Sequence, residues 1–271
     1  MKRLRLLALL LAAIAMAPAL PAQLPRTDLV ANRMAQAIAH SKQKSVIVFD
    51  FSGPDGKLNG LGEYLAGNLN AALAQPARSF LVLDREKISA ECAARGLSLS
   101  VLSDVDTALW IGRELGAQTI VLGRLAIHAE NLNITFSLYR ARDLKPLAAF
   151  QASLPISAEM RALLAKEIAV PTDATPSSGT NGYTYPRCRH CPQAAYSQEA
   201  VHDKFEGTVV LIAVVGIDGK AREISVQKEL PYGLTKQALE AVTHWTFKPA
   251  ADPQGTPTAV RQVIEVSFHL Y

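Results

Sequence analysis

The apolar positions of this chain change period repeatedly, and each change marks an element. Leu29, Val30, Met34, Ala35 and Ile38 fall near helical spacing within residues 27–40, and Thr27 or Asp28 can cap the start. Residues 44–51 form a β-branched and aromatic run that reads as a buried strand, ended by Ser52-Gly53-Pro54-Asp55-Gly56. Leu61, Tyr64, Leu65, Leu69, Ala72 and Leu73 recur at three and four residues, which predicts an amphipathic helix closed by Pro76. A second strand is expected at 80–83 and a helix from Asp84-Arg85-Glu86 towards Gly96. A further helix starts at Asp104 or Asp106, runs through Leu109, Trp110 and Leu115, and stops at Gly116. This alternation of strand and helix predicts an α/β layer.

Beyond Gly116 the pattern becomes all strand. Residues 119–127, 132–139 and 147–154 are three strand candidates separated by the polar turns Glu130-Asn131 and Arg142-Asp143, as in an antiparallel meander. Helical spacing returns at 157–168. Residues 171–186 are rich in Pro, Thr, Ser and Gly, which predicts a linker and a domain boundary.

The last part of the chain predicts β, β, α, β. Residues 207–216 are apolar at nearly every position, as expected of a central strand covered on both faces. Asp218-Gly219 suits a type I′ hairpin turn, so residues 220–230 return as the partner strand with Ile224 and Val226 inward. Leu234, Ala238, Leu239, Val242 and Trp245 mark one helix face, and Pro249 ends that element. Ile264, Val266, Phe268 and Leu270 then alternate with Glu265, Ser267, His269 and Tyr271 in a half-buried strand. The expected fold class is α+β. The expected organisation is a signal peptide at 1–22, an α/β domain at 27–168, a linker with a Cys pair at 169–192, and a second domain at 193–271.

Charge changes this picture at the start of the chain. Lys2, Arg3 and Arg5 precede an uncharged stretch whose apolar core, residues 6–17, is 12 residues long. That is shorter than the roughly 20 needed for a spanning helix. Small residues and prolines follow, so the segment reads as a secretory signal peptide cleaved after Ala19 or Ala22, the rival being a retained N-terminal anchor. No cysteine follows the apolar core, which argues against a lipid anchor. Residues 1–22 hold three of the 28 Lys and Arg and none of the 24 Asp and Glu, so their removal takes the formal charge from +4 to +1. A near-neutral remainder gives no global electrostatic reason to expect nucleic-acid or anionic-membrane binding.

Cys188-Arg-His-Cys191 carries the main candidate chemistry. In an oxidising compartment a local disulfide between Cys188 and Cys191 is the default reading. A thioredoxin-type redox pair would start a helix after a strand, whereas Pro186 and Pro192 flank this one. A Cys2His2 zinc site could draw on His190 and His202. Haem attachment is excluded because position 192 is Pro. Cys92 lies on a helical pattern and is expected to be a buried thiol. His244, next to Trp245, is placed at a helix edge, and His40, His128 and His269 are isolated. Asp50, Asp55 and Asp84 stand at strand ends, where capping and turn roles account for them. Gly60-Leu-Gly62 lacks the remainder of a phosphate loop. No catalytic residues, metal or cofactor are expected.

Two resemblances give these patterns a context. Tyr196-Ser197, Glu206-Gly207 with the following apolar run, Asp218-Gly219, Val226, Gly233-Leu234, Ala238, Ala241, Trp245 and Phe247-Lys248-Pro249-Ala250, with the closing strand, resemble the C-terminal domain of TonB proteins. That resemblance implies non-catalytic recognition of proteins in a bacterial envelope. The last strand would pair with a short motif of a partner, and Gln262, Val263, Glu265, Ser267 and His269 occupy the matching edge or outward positions. Strand addition of this kind needs an open sheet edge, and the alternative is an edge covered by the linker or the first domain. In the first domain the strand at 46–51, Leu61-Gly62-Glu63-Tyr64-Leu65, the 82–86 segment, Leu115-Gly116-Ala117 and the 119–123 segment look like the periplasmic α/β module shared by CsgG, FlgO and the amino-terminal part of TolB. The pore function of CsgG does not carry over, because neither a lipidation cysteine nor long membrane-type strands are present.

The implied function is a periplasmic adaptor that binds envelope proteins, such as outer-membrane receptors or assembly components, with no nucleic acid or small-molecule substrate. Two alternatives are a TonB-type energy transducer for outer-membrane transport, with its anchor retained, and a thiol oxidoreductase using the Cys pair. A linker of about 15 to 25 residues at roughly 3.1 Å each is too short to cross a periplasm, which weighs against the transducer.

Overall fold

The computed structural model describes residues 27–76, 78–143, 145–166 and 175–270. The expected signal peptide and residues 169–174 of the expected linker lie outside these. The fold is α+β. Its first half runs α1 (Thr27–His40), β1 (Ser45–Val48), α2 (Gly60–Leu73), β2 (Leu81–Val82), α3 (Glu86–Ala94), a 3-10 turn (Leu99–Ser103) and α4 (Val105–Glu114). The meander β3 (Thr119–His128), β4 (Asn131–Arg140) and β5 (Lys145–Pro155) and the helix α5 (Ala158–Ala165) follow. The sheet order is β2-β1-β3-β4-β5, parallel among β2, β1 and β3 and antiparallel from β3 onward.

The helix starts are set by caps. Asn59 accepts from the Gly62 N–H at the head of α2, Asp104 from the Thr107 N–H at the head of α4, and Ser157 from the Met160 N–H at the head of α5. Each side chain satisfies a backbone donor that the first helical turn leaves unpaired. The β1 run is shorter than its apolar sequence, but the chain continues along β3, with the Phe49 N–H donating to Val121 and the Ser52 N–H to Gly123.

Alternate side chains of β1 serve two cores. Val46 and Val48 face Met34, Ile38, Leu61, Leu65 and Leu69 of α1 and α2. Ile47 and Phe49 face the opposite way, into a core with Cys92, Leu109, Trp110 and Ile111 of α3 and α4. This second core does not stop at the first half. It continues through Val209, Leu211, Val215, Leu239, Val242 and Phe268, so α3 and α4 are shared packing for both halves of the chain.

The second half contains β6 (Arg187–His190), α6 (Gln198–His202), β7 (Gly207–Val215), β8 (Ala221–Lys228), α7 (Leu234–His244), β9 (Thr246–Lys248), β10 (Ala250–Ala251), β11 (Pro257–Thr258) and β12 (Val260–Phe268). The expected β, β, α, β elements are β7, β8, α7 and β12, and their sheet order is β12-β7-β8. The short strands form two added ribbons, β6 with β9 and β10 with β11. Helix α7 packs against β7, β8 and α4. Its Lys236 ammonium lies 5.8 Å from the Trp110 ring centroid, and the Arg95 guanidinium lies 5.1 Å from it. One cation from each half therefore rests on the same buried indole.

Three expectations are corrected here. Strand β7 is not covered on both faces: Val209, Leu211, Ala213 and Val215 are buried, whereas Val210, Ile212 and Val214 are half-buried. The apolar run arises because the outer face of this sheet is itself apolar at its centre. The hairpin is not type I′, since only Gly219 has positive φ (75°), with its N–H on Gly216 and the Gly216 N–H on Lys220. That is a type I turn closed by a left-handed glycine. It is held by Asp218, which accepts from the Lys220 N–H and pairs with Arg222. Finally, the Cys pair does not hang in an open linker but lies on β6 and just beyond it, against β9.

Candidate functional site

Strand β12 is paired with β7 from Val260↔Val215 to Phe268↔Gly207 without a bulge. Its alternation therefore holds along the whole strand. Ile264, Val266 and Phe268 are buried, and Val263, Glu265, Ser267 and His269 are exposed. In an antiparallel ladder the backbone groups alternate too, one residue facing its partner strand and the next facing away.

Arg261 fixes which set faces away. Its N–H donates to the Pro176 carbonyl at 2.8 Å, and its carbonyl accepts from the Ser178 N–H at 3.0 Å. The backbone groups of Val263, Glu265 and Ser267 follow the same parity and point off the sheet. Among the described residues no backbone group pairs with them. The Val263 carbonyl is approached by the neighbouring Gln262 side-chain amide. The open row thus runs over three residues, with the Val263 carbonyl already taken by that amide.

Residues 176–178 form a strap over the start of this edge, with Ser177 bridging Arg261 in parallel. Gln262 differs from the other expected edge residues. Its main chain belongs to the β7-facing set, and its half-buried side chain accepts from the Ser178 hydroxyl at 2.7 Å. His269 lies beyond the strand end, its Nδ1 4.0 Å from Glu206. Glu206 also accepts from the Leu270 N–H at 2.6 Å, which ties down the end of the chain.

The other edge of the sheet is engaged at Ile224. The Ile224 N–H donates to the Gly96 carbonyl and the Ser98 N–H to the Ile224 carbonyl, both at 2.9 Å. Gly96 has φ +69°, and a Cβ there would lie 2.8 Å from the Ala221 oxygen, so only glycine fits this approach. The first half of the molecule thus holds β8 at its middle, whereas three successive outward positions of β12 have no backbone partner among the described residues.

Beside that edge runs a surface that sequence reasoning missed. Val263 sits across from Ile212, Glu265 from Val210, and Arg261 from Val214. Beyond them lie Ser225, Lys228 and Arg222 of β8. Val263 is 49% exposed, which leaves an apolar strip bordered by charges. The polar alternation of β12 was the available signal, because a half-exposed strand must lie beside one whose outer face is also accessible.

Cys188 and Cys191 are disulfide-bonded. Cys188 pairs across the ribbon with Phe247, and the Trp245 indole N–H donates to the Pro192 carbonyl at 2.9 Å. Cys188 sits on an exposed strand and Cys191, half-buried, just beyond it, neither at a helix N-terminus. Among the described residues no group of three or more His, Cys, Asp or Glu side chains is arranged to hold a metal ion. His202 bonds to Asp203 at 2.7 Å.

The remaining sequence candidates have local roles. Asp55 and Asp84 accept from the Lys57 and Glu86 N–H groups in turns. Asp50 instead pairs with Arg85. Burial nevertheless raises its pKa, with Arg85 opposing and Glu63 adding to the rise. Cys92 is buried, and its thiol is pushed up to about 12 mainly by that burial, so it remains a packed neutral thiol.

The fold can be set beside solved structures. The LpoB C-terminal domain from Salmonella enterica aligns at a TM-score of 0.39 and 18% identity, covering 48% of this chain and 96% of that one. The TonB C-terminal domain from Pseudomonas aeruginosa aligns at 0.28 and 18%, covering 36% and 95%. TolB from Acinetobacter baumannii aligns at 0.28 and 15%, covering 44% and 25%. No curated protein sequence matches the chain. Residues 192–270, which include the sheet, its open edge and the helix packed against it, match the family model for the C-terminal domain of the TonB protein of Gram-negative bacteria.

Proposed function

We propose that this protein is a periplasmic adaptor that recognises envelope proteins by taking an extended segment of a partner onto β12. The observation that carries the reading is the open backbone row at Val263, Glu265 and Ser267. A β-strand added there gains main-chain hydrogen bonds, while the outward side chains and the adjoining apolar strip select the sequence. The family match of residues 192–270 supports a protein-binding role for this sheet. The hold on the other edge at Ile224 favours binding on this side. In this reading the first half holds the recognition sheet rigidly and docks a second envelope component.

The test is a photo-crosslinking amino acid placed at Glu265 and, as a control, at Lys87 on α3, in the native envelope. The expected result is a discrete adduct from position 265 that disappears when Ser267→Pro removes an outward N–H. Adducts that form equally from both positions, or that survive Ser267→Pro, would refute the proposal. Mass and N-terminal sequence of the envelope-derived chain separate the adaptor from a TonB-type transducer: an intact Met1 in the inner membrane favours the latter.

A further inference from the structure

A second concave site lies away from the sheet edge, where β1 and β3 begin and β4 ends. Gln43, Arg113, Ala117, Gln118, Arg140 and Arg142 line a cavity of about 540 Å³. Three guanidinium groups converge on it from three elements: the last turn of α4, the end of β4, and the turn after it.

Their charges are largely uncompensated. Arg140 holds Asp143 in a two-pronged pair, Nε to Oδ1 at 2.8 Å and Nη2 to Oδ2 at 2.7 Å. Arg113 and Arg142 form no ion pair among the described residues. Glu114, the acid nearest Arg113 in sequence, is taken by Arg95 at 2.9 Å. The cavity wall therefore carries three positive charges against one negative. This imbalance is local, since the chain from residue 23 onward has a formal charge of only +1. The Gln118 side-chain oxygen accepts from the Lys44 N–H at 2.7 Å, which leaves its amide nitrogen free to donate.

We propose that this cavity binds a phosphate monoester. Such a group carries close to two negative charges near neutral pH and presents three acceptor oxygens. Two unpaired guanidinium forks and a side-chain amide match that donor set, whereas a lone carboxylate would use one fork. The volume falls in the range of small-ligand clefts, so it admits the glycerol or sugar that bears the phosphate as well as the phosphate itself. The same chemistry occurs in a soluble metabolite and in a lipid headgroup. The site is separate from β12 and does not depend on strand addition.

The experiment uses the full chain in two arms. In one, glycerol 3-phosphate is titrated calorimetrically. In the other, the chain is mixed with phosphatidylcholine vesicles with and without phosphatidic acid and sedimented. Saturable binding in either arm is expected to weaken by about tenfold or more in R113Q/R142Q, because two charge-assisted contacts are lost. It is expected to persist in K87Q/K220Q, which removes the same charge from exposed positions elsewhere. R142K, which keeps the charge and loses the fork, is expected to fall between. Binding to the soluble ester identifies a free phosphate ester as the source, and binding confined to phosphatidic acid vesicles identifies a headgroup. No saturable response in either arm would overturn the proposal. So would equal losses in the two double variants, or undiminished binding by R113Q/R142Q.

Discussion

Gly96→Ala tests whether the two halves of this molecule fold as one body. Gly96 sits at φ +69°, where an L-residue costs about 1–2 kcal/mol relative to glycine. The added Cβ would also lie 2.8 Å from the Ala221 oxygen and 3.3 Å from the Arg222 Cα. The 96–98 segment must then retreat from β8 and weaken its two hydrogen bonds to Ile224, each worth about 1 kcal/mol net. The sum is about 3–4 kcal/mol, a large share of the 5–15 kcal/mol typical of a folded domain. In urea, with a slope of about 2–3 kcal/mol/M, the midpoint should fall by between about 1 and 2 M. The chain contains two tryptophans, Trp110 in the first half and Trp245 in the second. Single-tryptophan versions, W245F and W110F, therefore report each half in turn. Both reporters should move together, because α3 and α4 belong to the core of both halves. A loss smaller than about 1 kcal/mol, or a second half that melts first while the Trp110 signal stays where it was, would show that the two halves do not fold as one body.

Glu265→Pro should cost about 1 kcal/mol or less, since its outward N–H has no ladder bond to lose, whereas Val266→Pro should cost about 3 kcal/mol or more. Equal midpoints in denaturant would show the parity of β12 to be wrongly assigned. Asp104 caps α4 while half-buried, and burial raises its pKa above the ordinary 3.8 despite the bonds from Thr107. Its native state thus holds a proton more tightly than the unfolded chain, and stability falls as pH rises from 3.8 through the folded pKa. Asp104→Asn keeps a cap without the charge, so its stability relative to the parent should rise across that window and then level off. A difference that is flat, or falls, counts against the burial argument. Cys188→Ser with Cys191→Ser should lower stability by at most about 2 kcal/mol, as expected for so short a loop. The parent should show no insulin-reductase turnover, because its sulfurs lie on and just after a short strand without a helix terminus to acidify a thiol.

The elements defined by one repeating period were legible from sequence. Leu61, Leu65 and Leu69 announced α2, the turns at Glu130-Asn131 and Arg142-Asp143 divided the meander, and Ile264, Val266 and Phe268 named the buried face of β12. What escaped reading depends on contacts between distant segments. The run at Val209 to Val215 looks the same whether one face or both are covered, and only the pairing with Val263 and Glu265 decides it. The hold of Pro176 and Ser178 on Arg261 joins residues more than 80 positions apart. The arginine-lined cavity draws on positions 43, 113, 118, 140 and 142, none of which forms a motif. The hold on β8 at Ile224 depends on a glycine in a different half of the chain, at a position that reads simply as a helix end.

The strap at residues 176–178 has a consequence for what β12 can read. It ends at Arg261, and the strand ends at Phe268, so an incoming segment has the stretch from 263 to 267 available. At about 3.3 Å per residue this is a footprint of roughly 17 Å. The strap is in effect a ruler and a stop. On the proposed strand addition, a partner of about five extended residues would fit beside the strap without displacing it. A longer one would have to lift Ser178 from Arg261 and Gln262 first, so the same proposal entails a preference for short segments.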